Sequence, residues 1–166
     1  MSGVAEDGGC SVGRPKLFAD SMLGRLALWL RIMGFDVAYE KAVDDEEIVE
    51  RARREGRIIL TRDTLLVKRR WARDNHIFIE SDRFREQLRE VVSVLGVDEA
   101  RFLTRCVRCN VILEDVEKGA VKEEVPPYVY STQEAFSRCP VCRRIYWAGT
   151  HRDEMRKELE RILDGG

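Results

Sequence analysis

Apolar positions along this 166-residue chain alternate between short compact runs and longer stretches at helical spacing. Lys16 to Ala19 is a compact run and predicts a first strand. From Ser21 to Met33 the residues Met22, Leu23, Leu26, Leu30 and Met33 recur at helical spacing, and Gly34 is the stop. Phe35 to Tyr39 predicts a second strand. Asp44 then caps a helix, with Glu47 completing a capping box ahead of Ile48, Val49 and Ala52, and Gly56 ends it. Arg57 to Thr61 predicts a third strand, and a basic helical stretch follows through about Ala72. His76 to Ile79 predicts a fourth strand, and Arg83 to Leu95 an amphipathic helix ended by Gly96. Four strand–helix repeats with short connections predict an α/β domain over residues 16–100, a parallel sheet covered by helices on both faces.

The pattern changes near Arg101. A β-rich stretch from Val111 to Val125, Pro126-Pro127, a short helix near Gln133 and a strand at Ile145-Tyr146-Trp147 follow. Thr150 with Asp153 resembles a capping box for a last helix to about Leu163. Into this region fall two cysteine pairs, Cys106-x-x-Cys109 and Cys139-x-x-Cys142. Each pair sits on a turn that points both sulfurs at one ion, and two such turns complete a tetrahedral Zn²⁺ shell. The 29 residues between the pairs require a long inserted hairpin or loop. Two disulfides, or four unrelated thiols, are the competing reading. A closed four-sulfur site leaves no open coordination position, so this zinc is structural and any catalysis lies elsewhere. Residues 101–166 are therefore expected to form a small zinc ribbon with a C-terminal helix. Residues 1–15, small and polar with Cys10 among glycines, are expected to be a flexible leader.

Composition narrows the class. A net charge of −1 exerts no global pull on nucleic acid, so such binding must come from local patches. Apolar runs are far shorter than the roughly 20 residues a membrane helix needs, so no membrane partner is expected. No signal peptide is evident, and paired thiols without one favour a reducing cytoplasm and zinc over disulfides.

In a parallel α/β sheet, ligands bind beyond the carboxyl ends of the strands. Asp20 follows strand one, Asp44 and Asp45 follow strand two, Asp63 follows strand three and Asp82 follows strand four. Any one of these is a routine helix cap, but acids at four consecutive strand ends exceed what capping predicts. Clustered carboxylates repel unless cations or protons compensate, and Mg²⁺ or Mn²⁺ meets that need with oxygen ligands and bound water. Asp44 already has a capping role, which leaves Asp45 the freer acid. Asp82 reads as solvated surface. Basic residues surround the acids: Arg25 and Arg31 on helix one, then Arg62, Lys68, Arg69, Arg70 and Arg73. The cysteine turns carry Arg105, Arg108, Arg138, Arg143 and Arg144 near Phe136, Tyr146 and Trp147. An acidic centre in basic surroundings suits a metal-dependent nuclease acting on RNA, and a solvated charged face is the plain alternative. His151 reads as a helix-start histidine, and Trp29 as core.

Several stretches resemble one known family. They are Phe18-Ala-Asp-Ser-Met-Leu-Gly-Arg-Leu-Ala-Leu-Trp-Leu-Arg-Ile-Met-Gly34, Asp44-Asp-Glu-Glu-Ile48 and Gly56-Arg-Ile-Ile-Leu-Thr-Arg-Asp63. Arg105-Cys-Val-Arg-Cys-Asn110, Cys139-Pro-Val-Cys142 and Tyr146-Trp-Ala-Gly-Thr-His151 continue the likeness. Together they resemble the PIN-like ribonucleases of the Mut-seven C-terminal RNase type. The resemblance implies a PIN-like domain followed by a zinc ribbon, and a metal-dependent RNase activity. It matches Asp20, Asp63 and Asp45 (or its neighbour Asp44) to the catalytic acids. PIN nucleases commonly add an acid a few residues beyond the strand-three Asp, whereas Thr64, Leu65, Leu66 and Val67 follow Asp63 here.

Three functions compete on these residues. The first is an RNA phosphodiesterase with Asp20, Asp45 and Asp63 on Mg²⁺ or Mn²⁺, Arg25 and Arg62 on phosphates, and the ribbon guiding the strand. The second is a non-catalytic RNA-binding module with a degenerate acid site. The third is a small-phosphate hydrolase, which leaves the basic ribbon idle.

Overall fold

A computed structural model describes residues 13–164, apart from the side chains of Thr150 and His151. The rest of the leader, Cys10 included, lies outside the described residues. Four strands, β1 (Lys16–Ala19), β2 (Val37–Tyr39), β3 (Arg57–Thr61) and β4 (His76–Phe78), form a wholly parallel sheet in the order β2-β1-β3-β4. Helices α1 (Gly24–Ile32), α2 (Asp45–Glu55) and α3 (Phe84–Leu95) connect or follow them. The α/β class with helices on both faces is thus the observed one.

Side-chain alternation along the central strands divides the core in two. Leu17 and Ala19 of β1 join Leu60 of β3 and the buried stripes of α1 and α3, including Leu26, Leu30, Leu88 and Val91. Phe18, paired with Ile59, faces the other way onto Ile48 and Ala52 of α2. The Asp44 half of the expected capping box forms, accepting from the Glu47 N–H at 2.9 Å, while among the described residues the Glu47 carboxylate makes no return bond; Gly56 closes α2 in the left-handed region. Gly34 also has positive φ (86°), and a Cβ there would lie 2.4 Å from the Arg101 carbonyl oxygen, so the linker toward the ribbon packs directly on it.

Four local expectations are corrected, the last of them at the final helix. Helix one begins as a 3₁₀ turn, Ser21–Leu23, before α1 proper. The basic stretch after β3 is two 3₁₀ turns, Leu66–Lys68 and Ala72–Asp74, that tuck buried Leu66 and Ala72 under the sheet. Asp63 caps the local turn there by accepting from the N–H groups of Leu65 and Leu66, which competes with a regular helix. Between Val111 and Val125 only β5 (Glu114–Val116) is strand, and a 3₁₀ turn, Lys118–Val121, follows.

The inserted segment continues through α4 (Pro127–Thr132) to β6 (Phe136–Arg138) and β7 (Ile145–Trp147). These strands make an antiparallel sheet in the order β5-β6-β7, backed by Val121, Val125 and Phe136. The last helix, α5 (Gly149–Leu163), starts one residue before Thr150, so Thr150 is not its cap. Its Leu159 and Ile162 are buried in the α/β core, and Arg85 pairs with Glu158 at 3.2 Å. Each such apolar side chain contributes about 1.5–3 kcal/mol on burial, so α5 ties the ribbon back to the first layer.

Candidate functional site

The strand order has one topological switch point, between β1 and β3, and it is there that α/β sheets open a crevice beyond the strand ends. Asp20 and Asp63 leave those two adjacent strands. Asp20 is buried (5% exposed), and its carboxylate is held on both oxygens. The Ser21 N–H donates to Oδ1 at 2.5 Å and the Thr61 hydroxyl donates to Oδ2 at 2.8 Å. The same Thr61 oxygen accepts from the Asp63 N–H at 2.9 Å, so one buried hydroxyl links the two acids. Asp63 Oδ1 accepts from Leu65 N–H at 2.7 Å, and its residue is half-buried.

Asp45 stands at the first position of α2, beside the same edge. Its carboxyl is raised above the ordinary range by burial first, then by the charge of Asp63, with Arg69 opposing and Asp20 and Asp44 adding to the rise. Asp20, Asp45 and Asp63 therefore share one electrostatic site, with Asp44 at its margin. Their oxygens are not drawn into a tight ligand set, since among the described residues only the cysteines bring three or more ligand atoms within 4.8 Å. Asp82 is exposed on a loop whose backbone N–H groups, at Glu80 and Ser81, donate to Glu90.

The basic residues separate. Arg62, next to Asp63, buries its guanidinium Nε with no hydrogen-bond partner. Arg25 is exposed and lays its guanidinium 4.3 Å over the Phe84 ring at the start of α3. Arg69, which the sequence reading grouped with its neighbours, is the cation whose charge reaches Asp45. Thr61 was not singled out by sequence. Its place just before Arg62-Asp63 at the end of a buried strand was the available signal.

The second site is the cysteine cluster. All four described cysteines are unbridged, and their sulfurs lie within 4.8 Å of one another. Cys106 Sγ and Cys142 Sγ are 3.8 Å apart, the separation expected for sulfurs about 2.3 Å from a tetrahedral ion. The two turns share one geometry. Asn110 and Arg143, each four residues past the first cysteine, have φ of 61° and 64° and donate back to the Cys106 and Cys139 carbonyls. Burial pushes the Cys106 thiol up, but donation from the Tyr146 hydroxyl (3.2 Å) and from nearby N–H groups outweighs it and brings it to about 6. Cys109 is pushed upward by desolvation and by the surrounding sulfurs. A divalent cation removes that conflict by holding every thiol as thiolate, so the donor set fits a structural metal such as zinc.

The first cysteine turn docks on the start of β2. Asn110 Nδ2 donates to Asp36 at 2.8 Å, and the Val37 N–H donates to Asn110 Oδ1 at 3.0 Å. Arg31 adds bonds to the carbonyls of Val107 (2.9 Å) and Arg108 (3.2 Å). The ribbon thus meets the amino edge of the sheet, a strand length on the order of 13 Å from the acids at the carboxyl edge.

Fold and site define a class: an α/β domain with acids gathered at the switch point of its sheet, joined to a four-cysteine ribbon. The family model described as Mut7-C RNAse domain matches residues 15–159, and the chain belongs to that family. No curated protein and no solved structure gives a match. Membership carries a nuclease-like or RNA-related function, in line with the resemblance read from sequence. Among the described residues no helix is long and apolar enough to cross a membrane.

Proposed function

We propose that this protein is a divalent-metal-dependent ribonuclease whose catalytic acids are Asp20, Asp45 and Asp63. The observation that carries the reading is the placement of Asp20, Asp45 and Asp63 at one strand edge; burial first, then the charges of Asp63 and Asp20, raise the Asp45 carboxyl, and the charge part is what a cation relieves. Mg²⁺ or Mn²⁺, when bound, supplies charge for phosphate oxygens and lowers the pKa of a water. Thr61 and the Ser21 N–H fix Asp20 in one orientation, so little reorganisation is needed. Asp63 uses Oδ1 for the turn it caps, and among the described residues no hydrogen bond competes for the Asp45 carboxylate. The unpartnered Nε of Arg62 is a donor suited to a phosphate oxygen. Arg25, at the same edge, is proposed to bind phosphate farther along the strand. Hydrolysis forms one P–O bond from water and breaks the P–O bond to a ribose oxygen, which takes a proton.

The four cysteines are proposed to hold one Zn²⁺ for structure, checked by metal analysis of the purified protein. Unbridged thiols in this arrangement suit a reducing cytoplasm. The functional test uses zinc-retaining protein freed of loosely held divalents, labelled single-stranded RNA, and Mn²⁺. Mn²⁺-dependent cleavage is expected, with a loss of about 100-fold or more in Asp63→Asn, which keeps the Oδ1 acceptor for Leu65 and Leu66. Cleavage that persists in Asp63→Asn with excess EDTA refutes the reading.

A second reading, an RNA-binding module without catalysis, draws on the lack of an acid at residues 64–67 and on the capping duty of Asp63 Oδ1. It expects salt-sensitive RNA binding and no turnover under any divalent ion.

A further inference from the structure

A groove of about 720 Å³ shares no lining residue with the acid site. It lies between the outer face of α1, the linker, the ribbon sheet and the start of α5. Its walls are apolar, with Leu28 (42% exposed), Ile112 (55% exposed), Phe102 and Met155 among them. Concave apolar surface with a few convergent polar groups is the usual form of a ligand site.

The polar groups come from the sheet. Register pairs Asp115 with Ser137 and Ser137 with Tyr146, so these three side chains form one row across β5, β6 and β7, and all three line the groove. Val116, Phe136 and Trp147 form the neighbouring row and pack on the ribbon's own core, although Trp147, like Ile145, also lines the groove. Ser137 Oγ donates to Asp115 Oδ1 at 3.3 Å. The hydroxyl bond to Cys106 fixes the Tyr146 ring. Arg152 lines the groove too and donates to the Glu99 carbonyl at 3.4 Å. On the wall, Leu103 has φ 60° and its N–H donates to the Ile32 carbonyl at 2.8 Å.

Resting on the RNA reading above, we propose that this groove binds an unpaired guanine of a single-stranded RNA, with its ring on Tyr146, its donor edge on Asp115 and a flanking phosphate at Arg152. A carboxylate offers two acceptors side by side. Guanine is the RNA base whose Watson–Crick edge presents two adjacent donors, N1–H and the 2-amino group. Adenine and cytosine place one amine beside a ring nitrogen acceptor, and uracil places its N3–H between two carbonyls, so the carboxylate is repelled by part of each edge. An aromatic ring and a guanidinium supply the stacking and phosphate terms found in single-strand recognition. Because the ribbon docks at the amino edge of the sheet, the base read here is not the one whose phosphate lies at the acids.

The test is fluorescence anisotropy of 5′-labelled r(UUUGUUU), r(UUUIUUU) and r(UUUUUUU) with the zinc-retaining full chain, without added divalents. The guanine strand is expected to bind about tenfold or more tighter than the uridine strand. Inosine, which lacks the 2-amino group, is expected to lose most of that advantage. Asp115→Asn, at an exposed position, is expected to bring guanine binding to the uridine level with zinc content unchanged. Equal binding of the three strands, or a guanine preference that survives both inosine and Asp115→Asn, overturns the proposal. Since no cleavage is needed, guanine selectivity without Mn²⁺-dependent turnover faults the ribonuclease reading alone, and turnover without selectivity faults this one alone.

Discussion

Asp45→Asn separates a site built for a cation from a row of helix caps. In the wild-type protein the Asp45 carboxyl titrates above its ordinary range through burial and through Asp63, Asp20 and Asp44. A charge at the first position of α2 gains about 0.3–1 kcal/mol from the helix dipole, so the upward shift means the unfavourable terms exceed that gain. Asparagine removes both. Discounted for its partial exposure, the relief is expected to raise metal-free stability at pH 7 by no more than about 1 kcal/mol. The sign follows from linkage. A carboxyl whose folded pKa is raised destabilises the fold as pH climbs through that value, so the mutant's advantage is present at neutral pH and vanishes below the unfolded value of about 3.9. Mn²⁺ reverses the order. At about 100 times its dissociation constant it stabilises a binding fold by about 2.7 kcal/mol, or roughly 5–10 °C in Tm for a chain of this size. Thermal melts with and without Mn²⁺ are expected to show that gain for wild type and for Asp82→Asn, an exposed control, and its loss in Asp45→Asn. A mutant less stable than wild type without metal, or one equally stabilised by Mn²⁺, refutes the reasoning.

Two further predictions concern the ribbon. Asn110→Ala leaves the buried Val37 N–H unpaired, at about 1–3 kcal/mol, and places alanine at φ 61° for about another 1 kcal/mol. Its Tm is expected to fall by about 5–12 °C, with Asn110→Gly falling less because the φ term is absent; equal losses would contradict that division. Arg143→Gly, at φ 64° on an exposed turn with no ion pair among the described residues, is expected to gain about 0.5–1 kcal/mol after glycine's entropy is counted, and a lower Tm would show that Arg143 makes a contact that matters.

Much of this protein was legible one residue at a time. The four parallel strands, the Asp44–Glu47 cap, the Gly56 stop and the two cysteine turns are set by signals within a few residues of each other, and each forms where the pattern predicts it. Local signals also misled where a competing interaction was equally local: Asp63 captures the Leu65 and Leu66 N–H groups, and the basic stretch breaks into 3₁₀ turns. What needed the tertiary structure were the long-range neighbours. Sequence places Asp20 and Asp63 after strands, but only the order β2-β1-β3-β4 makes those strands adjacent and joins the acids through Thr61. Arg25 and Arg62 read alike in sequence, yet one lies on Phe84 and the other buries an unpartnered nitrogen beside Asp63. The docking of the ribbon on Asp36 and Val37, at the edge opposite the acids, depends on bonds between residues more than seventy positions apart. Helix caps, turns and cysteine spacing draw their free energy from neighbours along the chain, whereas sheet order and docking depend on which distant surfaces bury each other, and that is decided only when the whole core closes.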